Sequence, residues 1–444
     1  MNSGRVYSWI SDSSLPKGGR VIRDIVQLGR LESREDGEAH LSGRFVRVHN
    51  AGAIYEPNPT SGVPVEVPLG DARPDGEGNF LFEPGRGGGR IDKVALAEPD
   101  FRWRYVQASH FGEVNSYYHV DRIAAYIGSL LSELGATALP PVTVIVNAHH
   151  AATERDGIRD GFRGTQKWWP FQGGHYRLPR SRRKSKLLHS ASRGDDGLPR
   201  SENSSHPHGI VEHNPIHPDG EIHLGTGRRL VRYGALVESA GGSYRANASH
   251  NAGIIYHEYG HHLTRHTADF CGNDLRRPED QINTKTALDE GTCDYLAATM
   301  MQTPHIWAFH QRHDAEHAHR RSLSSSMTMS DFDAGRKADA HTNGTIWAAG
   351  LWDLRIQMAG SDQDAARDLD RLVLLGLILL GRLQGDAQPA SPVSLRRARR
   401  DFGTGLRCLL ESDGILYAGR HQDVAARVFS RRGILARARV KTGT

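Results

Sequence analysis

Two histidines and a glutamate close together in the chain have the types and spacing of a metal site. His257 and His261 are four residues apart, and Glu258 directly follows the first histidine. On a helix, residues four apart lie on one face, so both imidazoles can reach a zinc ion at about 2.0–2.1 Å. Glu258 is rotated by about 100° from His257, which places it beside the ion rather than on it. The pattern predicts that Glu258 takes a proton from an attacking water molecule.

A second acidic segment supplies a candidate third ligand. Glu290 and Asp294 are also four residues apart, on a helix that we predict over residues 286–301. If Glu290 binds zinc, Asp294 can orient one of the ligating histidines from behind. The two segments together therefore predict a metal site made of two imidazoles and a carboxylate.

His341 begins another amphipathic segment, and Asp339 precedes it by two residues. A cationic imidazole at this place could stabilise an oxyanion that develops during hydrolysis. Asp339 could hold the ring and raise the pKa of the imidazole. The alternative is a histidine at a helix N-terminus that takes no part in catalysis.

Other interpretations of the metal motif remain open at this point. The histidines of a buried helix can make local hydrogen bonds without binding a metal. A closed structural zinc site is also possible, and it would need a fourth protein ligand. Cys293 is the candidate for that ligand, because it follows Glu290 by three residues on nearly the same helix face. We favour burial of Cys293 as an inert small residue.

Composition limits the class of protein. The 444 residues are 38% hydrophobic and 24% charged, which predicts a chain of two or three domains that buries a core. The longest apolar run, 372–380, is too short to span a membrane. Three cysteines cannot form a disulfide framework. The net charge of +5 is mild, and the basic run 177–186 has no nucleic-acid motif beside it, so we expect a solvated loop and no nucleic-acid partner.

The hydrophobic patterns predict an α+β fold. We expect an irregular segment over 1–40 and a small β-rich unit over 41–110. A long helix follows at Glu113–Leu134, and then a strand at Val142–Val146. Residues 152–208 are predicted to be an irregular, basic insertion. After residue 249 the patterns favour helices, which are predicted over 249–267, 286–301, 341–357, 365–383, 393–411 and 422–431.

Three of these blocks together resemble the fungalysin-type zinc metallopeptidases, a branch of the gluzincin group that includes thermolysin. They are the run His257–His261, the segment Asp289–Asp294, and His341 followed by Gly-Thr-Ile-Trp-Ala at 344–348. Segments 113–122 and 424–433 are also similar to the ends of that family's catalytic domain. The resemblance covers about 113–435.

The resemblance implies a function and a set of roles. It implies a zinc-dependent endopeptidase that acts on proteins or peptides and binds one zinc ion per chain. The implied ligands are His257, His261 and Glu290, with Glu258 as general base, Asp294 behind a ligand, and His341 as transition-state stabiliser.

The resemblance also implies a two-lobed catalytic domain. The first lobe would cover 111–268 with the metal-binding helix, and a mainly helical second lobe would cover 269–440. The strand Val142–Val146 resembles the edge strand that pairs with substrate in the family, which makes Asn147 and Ala148 candidate substrate-binding residues.

The sequence also departs from the family pattern. Cys293 stands where the family usually has serine, and no tyrosine lies between His261 and Glu290 to act as a second oxyanion donor. The family is usually secreted behind a signal peptide and a propeptide; neither is apparent here, so the localisation stays open, as does the oligomeric state. The second hypothesis is a zinc-binding pseudopeptidase that serves as an interaction module, with the basic insertion 163–208 docking an acidic partner.

Overall fold

The fold was analysed in a computed structural model of the chain. The residues that it describes are 2–11, 14, 19–33, 39–57, 60, 64–84, 99–151, 168–170, 173–177, 219–225, 229–232, 235–238, 247–268, 287–306, 321–334, 339–360, 363–382 and 402–436. Most of the predicted insertion 152–208, including its basic run after residue 177, therefore lies outside the described residues.

The described part of the chain is a mixed α+β protein in which strands come first and helices dominate the second half. The helices are α1 (Pro99–Glu133), α2 (Ala252–His266), α3 (Ala287–Met301), α4 (Ala340–Ala359), α5 (Gln363–Arg382), α6 (Phe402–Tyr417) and α7 (Gln422–Arg431). Short 3₁₀ helices lie at Ala248–His250 and Met329–Asp331.

The strands form one larger sheet and three two-stranded ribbons. They are β1 (Ser3–Ser11), β2 (Gly19–Gln27), β3 (Leu31–Ser33), β4 (Ala39–Gly43), β5 (Val46–Asn50), β6 (Ala53–Pro57), β7 (Pro64–Pro68), β8 (Val142–Ala151), β9 (Trp168–Pro170), β10 (Gly174–Arg177), β11 (Glu221–Gly225), β12 (Arg229–Arg232) and β13 (Ala235–Glu238). The ribbons are β1–β2, β6–β7 and β12–β13.

The larger sheet has seven strands in the order β10–β11–β8–β5–β4–β3, with β9 beside β8. β8 is parallel to both β5 and β11, and its residues from Val142 to Ala148 are buried. Continuous burial is the usual state of a parallel strand covered on both faces, and it explains why this segment is an apolar run rather than an alternating one.

Helix α1 packs on this sheet through an apolar stripe at helical spacing. Val114, Tyr117, Val120 and Ile123 are each fully buried. The helix ends where Gly135 adopts a φ of +61°, a conformation that favours glycine, and the amide of Ala136 donates back to the carbonyl of Leu131 at 2.8 Å. The predicted helix over Glu113–Leu134 is thus confirmed at its C-terminal end but begins earlier, at Pro99.

The prediction of an irregular segment over 1–40 is wrong. β1 and β2 pair antiparallel along their whole length, and β1 is tied to residue Phe80 by two backbone hydrogen bonds. One face of this ribbon packs on α1, where Val6 is fully buried, whereas Ile25 on the other face is 57% accessible. Apolar residues therefore occur on both faces, so the sequence lacks the alternation that marks a half-buried strand. Pairing with Phe80 and packing on α1 stabilise the ribbon, and both join segments that are far apart in the chain.

The predicted β-rich unit over 41–110 is not a separate sheet. Its strand β5 pairs directly with β8, which belongs to the range assigned to the catalytic lobe. The boundary at residue 110 also falls inside α1. A parallel pair needs a long crossover, and α1 is the helix that connects β5 to β8 across the sheet.

The prediction that Val142–Val146 is an edge strand is also wrong, because this stretch lies between β5 and β11. By contrast, the helices predicted in the second half are confirmed within one to three residues from 286 to 383 and at 422–431. The predicted start of the 393–411 helix lies outside the described residues. None of the helices in the described ranges combines the length and hydropathy that a membrane crossing requires.

Candidate metal centre

Helix α2 carries the histidine motif through the interior of the protein. Its N-terminus is capped by Asn251, whose side chain accepts a hydrogen bond from the amide of Ile254 at 3.3 Å. Every residue from Ala252 to Thr264 is buried. The helix packs against α1, α3 and β10, so its polar side chains must find partners inside the protein.

The structure brings the three predicted ligands together. One carboxylate oxygen, Oε2 of Glu290, lies 3.0 Å from Nε2 of His257 and 3.4 Å from Nε2 of His261. The ligand atoms of the three residues all lie within 4.8 Å of one another, and all three side chains are buried. Two imidazoles and a carboxylate are a donor set that suits zinc and leaves a fourth position open.

A carboxylate lies behind His257, as the sequence predicted. Oδ1 of Asp294 is 2.7 Å from Nδ1 of His257, which leaves Nε2 directed at Glu290. The guanidinium of Arg321 contacts the same carboxylate and lies 3.2 Å from Nδ1 of His257. Burial opposes ionisation of Asp294, but the charges of Arg321 and His257 outweigh it and lower the pKa of this carboxyl.

A second carboxylate lies behind His261, and sequence reasoning missed it. Oδ1 of Asp289 is 3.2 Å from Nδ1 of His261. The hydroxyl of Thr264 donates to the same oxygen at 2.7 Å, and Arg265 donates to Oδ2 at 2.8 Å. Each of the two histidines predicted to bind the metal therefore has an aspartate behind it, and each aspartate is paired with an arginine. The only signal in the sequence was an extra acidic residue directly before Glu290.

We expect Asp289→Asn to weaken zinc binding by about 10–100-fold, which is the usual cost of removing a partner that orients a ligand. The change keeps the side-chain shape but removes the charge that fixes the tautomer of His261. The zinc dissociation constant should be measured by competition with a chromophoric chelator. Asp368→Asn on α5, which breaks a partly exposed pair with Arg371, is the matched control. An unchanged constant for Asp289→Asn would contradict this role.

Glu258 lies beside the ligands rather than among them. Its side chain is buried, and its Oε2 atom has no hydrogen-bond partner among the described residues. Burial raises the pKa of Glu258, and the positive fields of His257 and His261 partly offset this rise. A buried acceptor without a donor is costly, so this orphaned oxygen points to a missing polar partner such as water or substrate.

His341 is placed at the same centre by helix α4. Its Nε2 atom lies 3.2 Å from Oε2 of Glu290, and its Nδ1 atom lies 3.0 Å from Oδ1 of Asp339. Asp339 is also the N-cap of α4, accepting from the amides of His341 and Thr342. Burial lowers the pKa of His341, but the charge of Glu290 and the bond to Asp339 raise it overall to about 9. The orienting contact that we predicted for Asp339 is thus present.

Glycines let the three helices of the centre approach closely. A Cβ atom added at Gly260 would lie 2.9 Å from Sγ of Cys293, where α2 crosses α3. One added at Gly291 would collide with the carbonyl of Gly344, where α3 crosses α4. The contact between Gly291 and Gly344 adjoins Glu290 and lies one turn from His341, so it lets these two side chains approach each other.

Cys293 lies on the far side of His261 from the metal ligands. Its Sγ atom is 3.4 Å from Nδ1 of His261 and 3.6 Å from Oδ1 of Asp289, whereas Glu290 faces Nε2 of the same ring. Burial raises the pKa of the thiol. His261, Asp289 and Cys293 form a second group of possible donor atoms. In this group Asp289 and Cys293 lie near Nδ1 of His261, whereas Glu290 lies near Nε2. This position does not suit a fourth ligand at the predicted centre.

The two residues predicted to bind substrate are both buried, Asn147 in a polar network and Ala148 in a small apolar cluster with Ala51 and Ile145. Asn147 and Ala148 are each 1% exposed, and Asn147 has a φ of +54°. The amide of Asn147 donates to Asn50 at 2.9 Å and accepts from Asn247 at 2.8 Å. Their role in substrate binding stays a prediction.

Comparison with known proteins agrees with the site. A model of the fungalysin metallopeptidase family matches residues 158–438, which is more than half of the chain and includes α2, α3 and α4. No curated protein matches the chain.

Proposed function

The chain belongs to the fungalysin metallopeptidase family, and on this premise we propose that it is a zinc-dependent endopeptidase with Glu258 as general base. The observation that carries the proposal is the convergence of three imidazole Nε2 atoms, from His257, His261 and His341, on one oxygen of Glu290. Three of these four side chains, those of His257, His261 and Glu290, are buried, and buried ionisable groups are normally ion-paired or coordinate a metal.

His257, His261 and Glu290 would hold the metal. The donor set fits zinc, and Asp294 and Asp289 keep Nδ1 of the two histidines engaged so that Nε2 faces the ion. A bound zinc ion lowers the pKa of a water molecule towards 7 and polarises the scissile carbonyl.

The remaining steps belong to side chains of the chain itself. Glu258 accepts the proton of the attacking water and then delivers it to the nitrogen of the leaving amine. Its buried carboxylate, with one oxygen unpartnered, is available for both transfers. His341, kept protonated by Glu290 and Asp339, donates a hydrogen bond to the oxyanion of the attacked carbonyl.

We also propose the two-lobed arrangement of the catalytic part that the family resemblance implies. The catalytic part would consist of two lobes, one ending near residue 268 and one over about 269–440, with α2 at the cleft between them. Proteins or peptides are the substrates that the family implies.

The test is metal removal. Purified protein should contain about one zinc ion per chain, and 1,10-phenanthroline should abolish cleavage of a casein-type substrate, because removing the ion would remove the group that activates the attacking water. Added zinc at a slight excess over free chelator should restore the rate. Cleavage that continues in fully zinc-free protein would refute the proposal.

The second candidate is a zinc-binding pseudopeptidase that acts as an interaction module. It is kept because no tyrosine lies between His261 and Glu290. Cys293 gives it little support, since its sulfur faces Nδ1 of His261 rather than the fourth position. One zinc ion per chain, with no peptide hydrolysis and salt-sensitive binding of an acidic partner, would favour this candidate.

A further inference from the structure

Strand β10 lies against the proposed general base. It ends the strand order of the sheet, where it pairs with β11, and it packs along helix α2. Its first residue is Gly174. A Cβ atom built on Gly174 would lie 2.5 Å from Cγ, 2.8 Å from Cδ and 2.7 Å from Oε1 of Glu258.

The backbone of Gly174, which has no side chain, therefore lies next to the carboxyl group of Glu258. The backbone of Gly174 is outside the left-handed region, so its conformation does not require glycine. Space does require it, because every one of the three atoms that an added Cβ would meet belongs to the side chain of Glu258. An ordinary contact of a Cβ atom is 3.4–4 Å, so the carboxyl group would have to move away.

Polar contacts do not fix the whole carboxylate of Glu258. Its Oε2 atom lacks a hydrogen-bond partner in the described ranges, while the side chain is only 5% exposed. Packing must therefore determine where the two oxygens lie relative to His257 and His261. The wall on one side of the carboxylate is the backbone of Gly174.

We propose that Gly174 is a positioning residue for Glu258: the absence of a side chain on β10 lets the general base sit at the metal centre, and the β10 backbone keeps it there. This inference rests on the proposed function. It predicts a catalytic effect, because the group that must yield to an added methyl group is the side chain of Glu258 rather than another backbone.

The test is Gly174→Ala in the zinc-loaded full chain. A misplacement of about 1 Å can cost about 10²-fold in rate, so we expect kcat to fall by about that factor while KM and zinc content stay unchanged. Gly128→Ala on α1 is the matched control, since a Cβ atom added there meets nothing within 4 Å. A Gly174→Ala variant with wild-type kcat, or with lost zinc, would overturn the proposal.

A double-mutant cycle separates positioning from a general structural effect. Glu258→Asp shortens the side chain and makes room for the added methyl group, so Gly174→Ala should cost much less in that background than alone. If Gly174→Ala lowers the yield of folded protein, Glu258→Asp should restore the yield for the same reason. Equal losses in both backgrounds, or a yield that is not restored, would also overturn the proposal.

The failure of this inference can be told apart from failure of the proposed function. An active wild type, an inactive Glu258→Gln variant and a fully active Gly174→Ala variant would remove only the role of Gly174. A wild-type chain that binds zinc but cleaves no peptide would remove the function on which the inference rests.

Discussion

Replacing Glu258 with glutamine is expected to lower the rate of peptide hydrolysis by about 10²–10⁴-fold, the range that general acid–base catalysis contributes. Glutamine has nearly the same size and shape but cannot accept a proton from water at neutral pH. Because Glu258 is not one of the three side chains grouped as possible ligands, the zinc content should stay near one per chain. The measurement is kcat on a casein-derived peptide, with metal analysis of the same sample.

Two comparisons make this result specific. Glu258→Gln should be folded as well as the wild type, because among the described residues Oε2 of Glu258 has no hydrogen-bond partner that could be lost. Glu133→Gln on the exposed end of α1 is the control, because that residue only pairs with Arg367 and Arg371 at the surface. Peptidase activity that survives Glu258→Gln would exclude Glu258 as general base, whatever the zinc content.

The features of this site that follow from spacing in the sequence are those that depend on residues within a single helix. His257 and His261 share a face because of helical periodicity, and so do Glu290 and Asp294. Their positions on α2 and α3 followed from spacing alone. That these helices meet at one site was a hypothesis from the ligand types of the two segments, and the family resemblance implied the same three ligands.

The parts that the sequence did not predict depend on contacts between distant segments. Asp289 is recognisable as a partner of His261 only when α2 and α3 are side by side, with Gly260 against Cys293. Strands β1 and β2 pair with each other, and β1 also pairs with Phe80. The hydropathy of one segment does not indicate such pairing. Gly174 lies outside every motif, and its contact with Glu258 appears only once β10 is placed beside α2.

Replacing Glu290 with glutamine is expected to remove the metal from the chain. The change substitutes a neutral amide for the anionic ligand and leaves the two imidazoles as the remaining donors of the group. Hydrolysis should be lost together with zinc, in contrast to Glu258→Gln, where only hydrolysis should be lost. Zinc per chain after gel filtration at micromolar protein, and kcat with zinc added back, are the measurements.

The strongest form of this test compares residues on the same helix. Asp289 directly precedes Glu290, and Cys293 follows it by three residues, so the variants Glu290→Gln, Asp289→Asn and Cys293→Ser alter α3 at nearly the same place. If the ion lies on the Nε2 side of His261, Glu290→Gln should lose zinc. Asp289→Asn should then bind zinc about 10–100-fold more weakly, and Cys293→Ser should bind it like the wild type. If the ion lay on the Nδ1 side, with Asp289 and Cys293 as ligands, the order of the zinc affinities would be reversed. Glu290 would then contact only Nε2 of His261, on the side of the ring away from the ion. The order of the three zinc affinities therefore tells which of the two ring nitrogens of His261 binds the ion.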